Sequence, residues 1–92
     1  MDILSRKRRQ VERGNSAKEL LENPILNEAF EDVENYLKTS WGITKDRETH
    51  IREDIWRSLQ LLENIRQHIK SVAENGKAAN KELLELNNKV KL

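Results

Sequence analysis

Ser71 to Leu86 reads SVAENGKAANKELLEL, and the fold turns on whether the helix stops at Asn75-Gly76 or runs through it. A true stop normally resets the apolar phase, whereas a tolerated glycine leaves it intact. Here Leu62, Ile65, Ile69, Val72, Gly76, Ala79, Leu83, Leu86 and Val90 alternate by three and four without an error, with Gly76 itself on the seam. An interior Gly weakens a helix by about 1 kcal/mol relative to Ala, and the roughly threefold larger penalty of a proline is not incurred. The spacing therefore predicts one helix from Asp46 through residue 75 and on to about residue 88. Gly76→Ala should leave such a helix unaffected or stabilise it.

Upstream of that helix, Thr39 to Asp46 (TSWGITKD) reads as a loop. Gly42 is suited to the left-handed closing conformation, and Thr44 or Asp46 to capping the next helix. The preceding segment opens on Asn23-Pro24, a good N-cap followed by a favoured first helical residue. Leu26, Phe30, Val33 and Leu37 then recur at four, three and four, which predicts a helix over 24–40. A short connection makes the two helices antiparallel. Trp41 and Trp56 are expected near the closed end. The fold class is thus all-α: an antiparallel helical hairpin with a long second helix and coiled-coil-like packing. The alternative is that residues 77–92 fold back as a third helix.

Residues 1–15 show few apolar anchors and read as a basic arm, with residues 16–92 as a single helical domain. Ser16 to Glu19 fits a capping box and predicts a short helix over 17–22, closed by Pro24. The apolar set of the second helix is read as Ile51, Ile55, Leu59, Leu62, Ile65, Ile69 and Val72. Because the first helix covers only part of the second, the stretch from Ala78 onward is expected to lack a partner within the chain. The seam Gly76, Ala79, Leu83, Leu86 and Val90 is accordingly the expected interface for a partner helix.

Composition sets the remaining bounds. The chain has 92 residues, 36% of them apolar and 36% charged, so one marginally stable domain is expected, with partner surface completing its core. There is no Cys, which excludes a disulfide framework, a thiolate metal site and a Cys nucleophile. No apolar run approaches a membrane span, and no h-region accompanies the basic N-terminal residues, so a soluble protein without a signal peptide is expected. The net charge of +1 conceals a basic cluster at Arg6, Lys7, Arg8, Arg9 and Arg13 and six acids with no base from Glu19 to Glu34. That cluster is the candidate contact for an anionic partner, able to neutralise phosphates without reading sequence. His50 and Asp54 are spaced as a ligand pair, but two ligands fall short of a metal site. No catalytic constellation, phosphate-cradling loop or paired-carboxylate motif stands out. No catalytic residue, cofactor, metal or small-molecule substrate is expected.

Two segments, AKELLENPILNEAFEDVENYLKTSW (Ala17–Trp41) and RETHIREDIWRSLQLLENIRQHIKSVAENGKAAN (Arg47–Asn80), resemble a group of short all-helical proteins of tailed bacteriophages and prophages. The shared pattern is the Ala17-Lys18-x-Leu20-Leu21-x-x-Pro24 opening, Ala29-Phe30 before an acidic helix, a terminal Trp41, Ile55-Trp56, and Ser71-Val72-x-x-x-Gly76-Lys77. The resemblance implies a structural or assembly role in virion morphogenesis, in the virion or the host cytoplasm, and carries over no active-site residue. It makes a phage head, portal or tail component, or a second copy of the chain, the expected partner. A nucleic-acid accessory role for the basic cluster is one alternative. Another is inhibition of a host protein by the acidic helix.

Overall fold

The computed structural model describes residues 2–90, Val90 by its backbone alone. Three helices succeed one another: α1 (Ile3–Glu22), α2 (Pro24–Gly42) and α3 (Thr49–Val90). The fold is all-α, and α3 runs unbroken through Asn75-Gly76 for 42 residues, about 63 Å. The chain divides into two compact units that share α3, one of α1 with α3 from His68 onward, the other of Asn23–Gln67.

The first unit overturns the reading of the N-terminus as an arm. Residues 3–22 form one 20-residue helix, so Ser16 lies inside it rather than capping a short helix over 17–22. The local cause is Asp2, whose carboxylate accepts from the Ser5 amide at 2.7 Å and whose carbonyl accepts from Arg6. That bond holds the Asp2 carboxyl below its ordinary pKa. The tertiary cause is a backbone-to-backbone approach of α1 and α3 at Gly14 and Gly76. A Cβ placed on Gly76 would lie 2.5 Å from Gly14 Cα and 2.8 Å from the Gln10 carbonyl oxygen. Ala17 and Ala79 are buried beside the crossing, 5% and 3% exposed. Lys7 pairs with Glu82, and Leu20 lies beside His68 and Ile69, so the two helices run antiparallel. The distal half of α3 therefore has a partner within the chain, contrary to the expectation from hairpin lengths.

In the second unit, α2 begins as the sequence predicts. The Asn23 side chain accepts from the Ile25 and Leu26 amides at 2.9 and 3.1 Å, with Pro24 at the first helical position. Its end differs: no glycine takes positive φ, and the helix closes on Ile43, in right-handed geometry, whose amide donates to the Thr39 carbonyl while the Thr44 amide donates to that of Trp41. Gly42 is thus an ordinary helical residue. The next helix starts at Thr49 rather than Asp46, because Lys45 to Glu48 form a turn in which the Glu48 amide donates to the Lys45 carbonyl.

The core row on α2 is Leu26, Phe30, Glu34 and Leu37, with Val33 displaced to 47% exposure. On α3 the inward row is Arg52, Ile55, Leu59, Leu62 and Arg66, while Ile51 and Ile65 face largely outward. Two arginines occupy places that apolar spacing assigns to isoleucines, because each has a specific partner for its charge. Arg66 lies 3.7 Å from Glu34 and stacks 5.1 Å from the Phe30 ring centre. Arg52 donates from Nε to Thr44 Oγ1 at 2.6 Å and from its terminal nitrogen to the Thr44 carbonyl, and stacks 4.6 Å over Trp41. The planar fork thereby fastens the loop to the helix after it. Arg52→Ala should weaken the unit by about 1–2 kcal/mol in urea unfolding, and Arg52→Lys should recover little of this, since an ammonium cannot reproduce the fork.

Glu34 offers a pH test of the same packing. Its hydrogen bond and charge attraction to Lys38, and then to Arg66, hold its carboxyl below the ordinary glutamate value. A depressed native pKa contributes stability above the unfolded-state value and loses it as the pH falls through the native one. Glu34→Gln should therefore flatten the acid limb of the helical circular-dichroism signal below about pH 4.5.

Candidate functional site

The second unit exposes a two-helix apolar face, whose origin is a one-residue offset. On α2, Ile25, Ala29, Val33 and Tyr36 each precede an inward residue; on α3, Ile51, Leu61 and Ile65 do the same. In a pair of antiparallel right-handed helices, the residues immediately preceding the inward ones fall on the same side of both. The two stripes therefore line one face of the hairpin. Ile25 and Tyr36 are 72% and 71% exposed, and Leu61 61%. On the opposite side, Trp41 and Trp56 line a shallow depression with Lys38 and Leu59, which places the two tryptophans together as expected from the sequence.

So much apolar surface is left open because little is enclosed. Among the described residues, Ala17, Ile55 and Ala79 are the buried apolar side chains, and no large side chain is fully buried. Singly exposed apolar residues are ordinary, but contiguous stripes on adjacent helices mark interaction surfaces.

The residues singled out from sequence separate in the structure. Gly76 and Ala79 face α1, Leu83 is half-buried, Leu86 is 45% exposed, and the Val90 side chain lies outside the described residues. The helix that covers the start of this seam is thus the chain's own. All five basic residues lie on α1, but Lys7 turns inward to Glu82. Arg6, Arg9 and Arg13, spaced by three and four, share one face, and Arg8 lies apart from them. The apolar face of α2 and α3 escapes a reading of the sequence because apolar spacing assigns Val33, Ile51 and Ile65 to the core.

Among the described residues no group of three metal-ligating side chains converges, and no helix is long and apolar enough to cross a membrane. No protein-family model, curated protein or solved structure matches the chain.

Proposed function

We propose that the chain is a non-enzymatic assembly protein of a tailed bacteriophage or prophage, which docks on a head, portal or tail component through exposed helix faces. The observation that carries the reading is the apolar face of Ile25, Val33, Tyr36, Ile51, Leu61 and Ile65. A helix laid along the seam between α2 and α3 would convert the hairpin into a three- or four-helix bundle, enclosing side chains that two helices leave wet. The resemblance over Ala17–Asn80 supplies the class of partner.

The test is co-expression with the head, portal and tail proteins of the phage or prophage that encodes the chain, and then co-sedimentation. One component should carry the chain with it. Leu61→Asp with Ile65→Asp should abolish this while helicity is retained, since a desolvated carboxylate opposes docking on an apolar face. A chain that sediments alone as a stable monomer beside all of them overturns the proposal. The nucleic-acid alternative rests on Arg6, Arg9 and Arg13, and steeply salt-dependent binding of a duplex oligonucleotide by that row decides it.

A further inference from the structure

The two units carry opposite charge. Residues 23–67 hold six bases and nine acids, a formal −3, while residues 1–22 with 68–92 hold eleven bases and seven acids, a formal +4. The surplus is organised in rows. On α1, Arg6, Arg9, Arg13, Ser16 and Leu20 recur at three and four along one exposed face, and no carboxylate pairs with the three arginine side chains among the described residues. On α2, Ile25, Glu28, Asp32 and Tyr36 recur at three, four and four, with Glu31 alongside, and these acids likewise pair with no base among the described residues. Each row sets three free charges beside exposed apolar side chains, Leu20 at 46% on α1 and Ile25 and Tyr36 on α2. The Arg6-to-Arg13 row spans about 10 Å, the length over which two packed helices exchange contacts.

We infer that α2 of one copy docks on α1 of a second copy, with Glu28, Glu31 and Asp32 facing Arg6, Arg9 and Arg13. The occupant is a second copy because the chain carries both halves of the match, in equal number and at helical spacing, while its net charge is only +1. Opposite-sign rows steer encounter and fix orientation, and the flanking Ile25, Tyr36 and Leu20 supply apolar area. The contact joins unlike surfaces, so copies that pair reciprocally close as a dimer, while copies joined by a single contact keep one free row of each sign and grow until a ring closes or a filament extends. The inference deepens the assembly reading, resting on it only in treating exposed helix faces as protein-binding surfaces.

Sedimentation of the full chain at low and high salt tests it with two variants, Glu28→Lys/Glu31→Lys/Asp32→Lys and Arg6→Glu/Arg9→Glu/Arg13→Glu, each checked for unchanged helicity. The wild type should self-associate, and more weakly as salt rises. Each variant alone should associate at least about 100-fold more weakly, because matched rows become like-charged. An equimolar mixture of the two should recover association, since the reversed rows complement each other. A wild type that stays monomeric at low salt overturns the inference and leaves the docking proposal to its own co-sedimentation test. Association that neither reversal weakens also overturns it, by placing the contact on the apolar face alone. So does a mixture that fails to recover while the arginine row binds a duplex oligonucleotide with steep salt dependence, which assigns that row to nucleic acid.

Discussion

Gly14→Ala and Gly76→Ala are each expected to destabilise the pairing of α1 with α3 by about 1–3 kcal/mol, although alanine is the better helix former by about 1 kcal/mol. The added methyl has nowhere to go. From Gly14 it would reach 2.6 Å from Gly76 Cα, and from Gly76 it would meet Gly14 Cα and the Gln10 carbonyl oxygen. Those neighbours are backbone, which cannot rotate aside, so the helices must part and expose Ala17 and Ala79. Amide hydrogen exchange along α1 reports this directly, since protection from Val11 to Leu21 should fall while that of residues 52–62 holds. Gly42→Ala is the control: no atom lies within 4 Å of its added Cβ, and the change should be neutral or mildly stabilising. A Gly76→Ala protein as stable as wild type, with α1 still protected, would show that the helices are not in backbone contact. Spacing alone predicts the opposite sign for Gly76→Ala, because it registers the helix that glycine interrupts and not the helix that glycine admits.

Truncating the two isoleucines of α3 that sequence spacing treats alike should separate stability from docking. Ile55 is 9% exposed, and Ile55→Ala should remove about 2–3 kcal/mol from the second unit, the transfer free energy of the lost methylenes plus that of the cavity. Ile65 is 45% exposed, and Ile65→Ala should remove less than about 1 kcal/mol. Chemical denaturation reads both. Equal losses at the two positions would mean that Ile65 is covered in the free chain, by its own residues or by another copy. The contrast also sets the design of binding variants: substitutions at Leu61 or Ile65 report on a partner, whereas those at Ile55 report on folding.

Much of α2 and α3 is legible in the sequence because their signals are local. The Asn23-Pro24 start comes from side-chain capping and the missing proline amide, and the unbroken α3 from an apolar phase that ignores Asn75-Gly76. The length of α1 is not legible from apolar periodicity, since its contact is made by small residues and its flanks are arginines. A signal for it is present nonetheless. Gly14-x-x-Ala17 and Gly76-x-x-Ala79 repeat one pattern, and in the structure the two glycines meet with both alanines buried. The inward arginines are illegible for another reason: Arg52 and Arg66 bury their stems while Thr44 and Glu34 satisfy their heads, and no hydropathy count can see those partners. Each displaces an isoleucine one position before it, and that displacement builds the apolar face.

The glycine crossing also governs how α1 can leave. Apolar knobs of similar size would let one helix slip past another by a turn and find a comparable fit. Between Gly14 and Gly76 the fit exists at one setting, because the residues a turn away on α3, Val72 and Asn80, carry side chains where the Gly14 backbone would need bare Cα. The pairing thus behaves as a latch with a single notch: α1 is seated or it is lifted, and sliding to an intermediate register is barred. A second helix competing for this stretch of α3 would therefore have to lift α1 from Gly76 rather than slide it along.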